Sequence, residues 1–472
     1  MWSDELATHF LTSQPSVHGM MRAILDGVDL APPLYDLTVR SVPSLIHGDA
    51  LRVRFPSTVG FFVMCLSVFV FVRARAPGIY ALIAMVLAAE LAWRYASEGR
   101  CYGAVIGCAG LAMVFWQAAA ENKARKWTVP ALGTCLAAAI SFHYYAVFLL
   151  CAFVVAEAAR FWTSHEFDRP TLVAVTLPSL VLVLHLPLIW AGLPLAKDFW
   201  FRVPAAATYD YYIAMLFPLL PFFLVAALLS GIALLTGLSK NQSPGFRGPE
   251  WALMTAIALM PELVICLALF TTKVFVDRYV LWSVVGLAPL IAAALCRVAQ
   301  GNRLHGALLF LPLLIWSVSA VRGAWSDPPK FRYSEGLQQE LPQLSQEQIV
   351  FSNPHPFMEL SYYAAPNLRK RLTYVIDGGL ERRYDHSRSN FFFFSALRQR
   401  EPLGVVDFQD FCRSSQSFIL VDAATSLDAG ASWLTPHLRN LGYRLSALKG
   451  APPSFTIYQV NAPAGLNCRA GH

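Results

Sequence analysis

The chain has 472 residues, of which 56% are hydrophobic and 14% charged, and it carries a formal net charge of +7. Soluble domains carry about 25% charged residues, and here the charge is missing in blocks as long as a bilayer is thick, which excludes a soluble enzyme, a disordered chain and a fibrous repeat. Lys and Arg form no run of the nucleic-acid-binding kind, so no nucleic acid is expected as partner and the basic excess reads as positive loops beside membrane spans.

Residues 1–54 are mixed and polar, and the opening Met1-Trp2-Ser3-Asp4-Glu5 lacks the basic and apolar regions of a cleavable signal peptide. Phe55 to Val72 is free of charge and is closed by Arg73 and Arg75. A second apolar run starts at Gly78, carries Glu90 and Arg94, and ends at Glu98-Gly99-Arg100; a third covers Cys101 to Ala120. Trp127 to Ala156 holds 30 uncharged residues with His143-Tyr144-Tyr145 near its middle. One helix of that length overshoots a hydrocarbon core of about 30 Å, so the segment is read as two short spans turning at His143. Pro170–Ala196, Tyr211–Ser239, Trp251–Thr272, Tyr279–Cys296 and Leu304–Val321 supply five more, ten spans in all.

Arg73/Arg75, Lys123/Arg125/Lys126, Arg160/Arg169, Lys240/Arg247 and Arg297/Arg303 fall on alternate loops, and the positive-inside rule makes that side cytoplasmic. Beyond Arg322 no run is able to span. Residues 348–352, 372–376, 417–421 and 454–458 read as short strands, with helical stretches at Phe391–Arg400 and Pro436–Leu441. The expected fold is an α-helical polytopic membrane protein of about ten spans with a small outer-face α/β C-terminal domain. Residues 1–54 form a first outer loop, 55–322 the transmembrane domain and 323–472 the outer soluble domain. Ten spans with an outer C-terminal domain put the N-terminus outside as well, and residues 1–54 show no export device, so a first helix is expected upstream of the given start. Seven cysteines lie in apolar segments as packing residues; only Cys412 and Cys468 lie in polar sequence, too few for a disulfide framework.

Several chemically capable segments fall on the outer face by this topology. They are the Asp4-Glu5 pair, Pro32-Pro33-Leu34-Tyr35, Arg52-Val53-Arg54, Glu98-Gly99-Arg100-Cys101-Tyr102, the His143 turn, and Lys273 through Asp277-Arg278-Tyr279. A carboxylate pair with several cations and tyrosines at one interface suits chemistry on a phosphorylated lipid, because cations hold phosphate through charge-assisted bonds and a carboxylate removes a proton from a hydroxyl. Each element also has a structural reading. Asp4-Glu5 fits a solvated helix start, Arg52, Arg54 and Arg278 fit snorkelling anchors, Glu98 and Arg100 fit an ion pair, and the intramembrane Glu90, Glu262 and His185 fit packing roles.

Taken in order, these segments resemble the bacterial GT-C glycosyltransferases, in particular the glycosyltransferase family 39-like branch related to protein mannosyltransferases and the aminoarabinose lipid A transferase. The resemblance covers most of residues 1–300, and it implies transfer of a sugar from a polyprenyl-phosphate donor to an acceptor hydroxyl, with inversion, at the periplasmic face of a bacterial inner membrane. It implies Asp4 as general base, with Glu5 positioning it or touching a metal. It further implies Arg54, Arg100, Arg278 and Lys273 as donor-phosphate ligands, and Tyr35, Glu98, Tyr102, His143 and Tyr279 as cavity or sugar contacts. The acceptor would be a glycan, lipid or protein among the membrane lipids. A divalent cation, Mg²⁺ or Mn²⁺, is a candidate cofactor, although no strong metal-ligand set is present. The family usually has His before the Pro-Pro pair, where this chain has Ala31. The competing readings are a polytopic transporter or flippase, which predicts duplicated halves and broken helices at the midplane, and an inactive truncated relative serving as an assembly factor.

Overall fold

A computed structural model describes residues 1–43, 45–96, 98–198, 206–236, 245–271, 274–326, 334–344, 347–423, 432–448, 451–452 and 454–464. It divides into two compact units. One comprises Met1–Leu30, Pro187–Arg202 and Asp327–His472; the other comprises Ala31–Leu186 and Val203–Ser326.

In chain order the first helices are α1 (Ser3–Thr12), α2 (Val17–Leu25), α3 (Leu34–Ser41), α4 (Asp49–Arg73), α5 (Gly78–Ala96), α6 (Tyr102–Ala120), α7 (Arg125–Phe142) and α8 (Phe148–Ser164). They are followed by α9 (Arg169–Thr176), α10 (Val181–Lys197), α11 (Ala207–Leu216), α12 (Leu220–Thr236), α13 (Gly248–Phe270), α14 (Val284–Val298) and α15 (Arg303–Ser326). Among the described residues nine stretches are long and apolar enough to cross a membrane, α9 with α10 and α11 with α12 each making one. The chain is a multi-pass membrane protein. The break at His143 is observed: α7 ends at Phe142, His143 is extended (φ −155°), and a 3-10 turn over Tyr144–Val147 leads into α8. Helix α7 is the remaining expected span, and Arg125 and Lys126 in its first turn make it less apolar than the other nine.

Within the helical unit α4 and α6 meet along small residues. A Cβ on Gly60 would lie 2.2 Å from the Gly103 carbonyl oxygen, one on Gly103 2.2 Å from the Ser57 carbonyl oxygen, and one on Gly107 2.6 Å from the Gly60 carbonyl oxygen. Membrane helices gain little from the hydrophobic effect against one another, so backbone approach through glycine supplies the packing. Ser57 joins the seam: its Oγ accepts from the Gly103 N–H at 3.1 Å.

Two buried charge clusters join span ends in the same unit. Glu250 accepts from Arg75 Nε at 2.8 Å and from Gln117 Nε2 at 2.8 Å, and Glu121 pairs with Arg75 and with Lys123 at 2.6 Å. Asp168 pairs with Arg125 and Arg160 and accepts from Thr171 Oγ1 at 2.8 Å. Glu157 accepts from Trp116 Nε1 at 2.7 Å and from Arg160 at 2.8 Å. Arg75, Glu121, Arg125, Arg160 and Asp168 all lie at loops assigned to the positive side, so that side is stitched by arginine–carboxylate pairs as well as being basic.

The other unit contains α16 (Ser334–Glu340), α17 (Pro354–Tyr363), α18 (Pro366–Arg369), α19 (Gly378–Asp385), α20 (Ser389–Leu397), α21 (Phe408–Ser414) and α22 (Leu434–Asn440) around six strands. The strands are β1 (Ile349–Phe351), β2 (Leu372–Ile376), β3 (Val405–Asp407), β4 (Ser417–Ala423), β5 (Arg444–Ala447) and β6 (Phe455–Asn461). Their order is β3-β2-β1-β4-β6-β5. The first four run parallel, with Ile349 opposite both Leu372 and Ile419, and β6 pairs antiparallel with β4 and β5. Every residue of β1 and β2 is buried, as expected of parallel strands covered on both faces. Val350, Phe411, Phe418, Leu420, Leu438 and Val460 form part of the core. The four strands read from sequence are present, and β3 and β5 are additional. Cys412 is disulfide-bonded, so polar-region cysteine does supply one bridge; Cys468 lies outside the described residues.

The N-terminal helices belong to this α/β unit. Asp26 pairs with Arg400, and Gln14 Nε2 donates to Glu401 at 3.2 Å. The end of α10 is held here too: Ser387 Oγ donates to the Asp198 carbonyl at 2.6 Å, and Arg388 Nε donates to the Asp198 carboxylate at 3.1 Å.

Candidate active site

In the helical unit three segments converge on one aromatic and cationic cluster. The turn between α5 and α6 ends at Tyr102, the first residue of α6, and the Gly103 seam directly beyond it fixes where that ring stands. The α7–α8 break presents His143 and Tyr145, and the stretch before α14 presents Arg278 and Tyr279. His143 lies 4.9 Å from Tyr279, 5.7 Å from Tyr102 and 5.7 Å from Tyr145 between ring centroids, and Tyr145 lies 5.1 Å from Tyr279. The Arg278 guanidinium carbon is 5.7 Å from the Tyr102 ring centroid, within cation–π range. Tyr102 and His143 are buried, while Arg278 and Tyr279 are half-buried.

The cluster is braced through the backbone. Tyr145 Oη donates to the Val274 carbonyl at 3.1 Å, the Tyr279 N–H to the Val276 carbonyl at 2.9 Å, and Trp282 Nε1 to the Tyr279 carbonyl at 3.1 Å. Arg100 and Arg278 both act electrostatically on Tyr102, and Glu98, Arg278 and Asp277 act on Tyr95. Tyr95, 6.1 Å from Tyr102, extends the aromatic surface. Such a surface presents ring faces, hydroxyls and a planar cation together. It suits a sugar ring carrying a phosphate, since arginine forks phosphate oxygens and tyrosine hydroxyls bond sugar oxygens.

Of the residues singled out from sequence, Tyr102, His143, Arg278 and Tyr279 are brought together directly, and Arg100 and Glu98 lie in the turn beside them. Tyr35 is otherwise engaged: it is buried on α3 and its hydroxyl donates to the Val53 carbonyl at 2.8 Å, fastening α3 to α4. Arg54 is half-buried near the start of α4. Lys273 lies outside the described residues. Tyr145 belongs to the His143-Tyr144-Tyr145 turn read from sequence but carries no site role there, and Tyr95 is not among the residues read from sequence. The signal for Tyr145 was its place two residues from His143, and that for Tyr95 was an aromatic between Arg94 and Glu98 at a span end.

Asp4 and Glu5 lie in the α/β unit, in the first turn of α1. Asp4 is half-buried; Glu5 is fully buried, and its Oε2 accepts from the Trp2 N–H at 3.2 Å. Glu5 is thus engaged as a helix-start cap. Among the described residues no group of three His, Cys, Asp or Glu side chains is placed to hold a metal ion.

No protein-family profile matches the chain, and no curated protein does. Two solved structures resemble it. The structure of ArnT from Cupriavidus metallidurans in the apo state is 11% identical with a TM-score of 0.53, over 91% of this chain and 87% of that one. The structure of the same protein bound to undecaprenyl phosphate is 13% identical with a TM-score of 0.48, over 92% of this chain and 88% of that one. The chain therefore has the GT-C-like fold of ArnT.

Proposed function

We propose that the protein is a membrane glycosyltransferase that moves a sugar from a polyprenyl-phosphate donor to an acceptor hydroxyl on the periplasmic face of a bacterial inner membrane. The observation that carries this reading is the Tyr102–His143–Tyr145–Tyr279 surface with Arg278 laid on Tyr102, set in a GT-C-like fold. The acceptor oxygen forms a bond to the anomeric carbon as the bond from that carbon to the phosphate oxygen breaks. The electron pair leaves with the lipid phosphate, whose charge Arg278, Arg100 and Arg54 stabilise. The acceptor proton passes to Asp4, and displacement opposite the leaving phosphate inverts the anomeric centre. Tyr102, His143, Tyr279 and Glu98 shape the sugar pocket, and Lys273 is a further phosphate ligand. The positive loops and the disulfide-bonded Cys412, which suits an oxidising compartment, support the outward placement of the α/β domain.

The test is transfer from a radiolabelled polyprenyl-phosphate sugar pool in membranes containing wild type or Asp4→Asn. General-base catalysis contributes about 10²- to 10⁴-fold, and a loss of that size is expected. Equal transfer by both proteins removes Asp4 as the base, and solute transport without transfer replaces the enzyme by a transporter.

A further inference from the structure

The α/β unit does more than follow the membrane helices in sequence, because it holds the helix that carries Asp4. Ser3, the first residue of α1, is 5% exposed, and its hydroxyl has one hydrogen-bond partner among the described residues, Nδ1 of His355. A buried hydroxyl without that partner would carry a desolvation cost. His355 stands on α17, where its N–H is capped by Asn353 Oδ1 at 2.9 Å and its neighbours Pro354 and Pro356 restrict the backbone. Two residues on, Phe357 is fully buried and stacks on Tyr374 at 5.5 Å between centroids, anchoring α17 to the sheet. A second contact lies further along α1, where His9 meets the edge of Tyr362 at 5.2 Å. Asp4 thus sits between two pinned neighbours, Ser3 held by His355 and Glu5 held by the Trp2 N–H.

We propose that His355 is a positioning residue for Asp4, acting through the Ser3 hydroxyl so that the α/β domain sets the place of the base. The inference rests on the reading of Asp4 as general base. A base displaced by about 1 Å loses up to about 10²-fold in rate while donor binding is unaffected.

The experiment uses the full chain in lipid nanodiscs with a labelled polyprenyl-phosphate sugar, comparing His355→Ala, His355→Asn, Ser3→Ala and the Ser3→Ala/His355→Ala pair. His355→Ala should lower kcat about 10- to 100-fold with donor KM within about twofold of wild type. The Asn amide places a polar atom near the lost Nδ1 and should restore kcat to within about threefold. Ser3→Ala should lose as much as His355→Ala, and the double variant no more than either. A kcat for His355→Ala within twofold of wild type, losses that multiply in the double variant, or a loss confined to donor KM would each overturn the assignment. Amide hydrogen exchange over residues 3–12 reads the pin without catalysis. Faster exchange in His355→Ala, reversed in His355→Asn, supports it, and unchanged exchange overturns it. A wild type that transfers no sugar while exchange responds as expected removes the reading of Asp4, and the catalytic half of the proposal falls with it.

Discussion

Arg278 illustrates why side-chain type matters more than charge at this surface. Its guanidinium carbon lies 5.7 Å from the Tyr102 centroid, within cation–π range, and a planar guanidinium has the fork geometry that matches phosphate oxygens. Lysine would keep the charge and lose the planar fork. Arg278→Lys is therefore expected to raise donor KM about fivefold, equivalent to about 1 kcal/mol, with kcat changed less. Arg278→Ala should raise it further. Steady-state kinetics with varied donor separate these outcomes, and equal KM values for Arg278→Lys and wild type would remove Arg278 from the donor site. Tyr35 is the contrasting case: its hydroxyl is already committed to the Val53 carbonyl, so Tyr35→Phe should act on stability before it acts on sugar binding.

At the scale of elements, the α4–α6 seam sets the position of Tyr102. A Cβ on Gly103 would stand 2.2 Å from the Ser57 carbonyl oxygen, and backbone offers no rotamer through which to relieve the clash. Gly103→Leu should cost upwards of about 3 kcal/mol and lower both folded yield and thermal stability in detergent. Leu66→Ala, on the same helix at a 62% exposed position, should change them little. Comparable losses for the two would mean that the seam does not govern the packing. The spans themselves were legible because a block without charge has few alternatives, and the turn at His143 followed from length alone. Harder to read was what joins the elements. Gly60 and Gly103 are far apart in sequence, and nothing local marks them as facing residues. Strand β3 has three residues, and β5 is an edge strand with mostly exposed side chains, so neither carries a burial pattern to detect. Residues 1–30 read as a loop ahead of the spans. Their membership of the α/β unit depends on contacts such as Asp26 with Arg400, 374 positions apart, which no window along the chain contains.

Across the whole molecule the two units are expected to answer pH in opposite directions. In the helical unit burial raises Glu121 and Asp168, but the ion pairs outweigh it: Lys123 and Arg75 hold Glu121 below the ordinary carboxylate range, and Arg125, Arg160 and Thr171 hold Asp168 well below it. Groups lowered on folding contribute stability above their unfolded values, near 4, and lose it as pH falls towards the folded values. In the α/β unit burial pushes Glu381 up to about 7 against two backbone N–H bonds, from Asn390 at 2.9 Å and Phe391 at 2.7 Å, and it pushes Asp385 up to about 7 as well. Asp385 Oδ1 is buried without a hydrogen-bond partner among the described residues, which favours the neutral form. Groups raised on folding contribute stability below their unfolded values and lose it as pH rises through about 4.5 to 7. Hydrogen exchange corrected for its intrinsic pH dependence should therefore show the β1–β4 sheet better protected at pH 5 than at pH 8. Helix α8 should hold its protection across that interval and lose it only below about pH 4. Glu381→Gln with Asp385→Asn should flatten the first response and leave the second, while Asp168→Asn should do the reverse. A single response shared by both units and moved by either set of substitutions would show that these carboxyls do not control it.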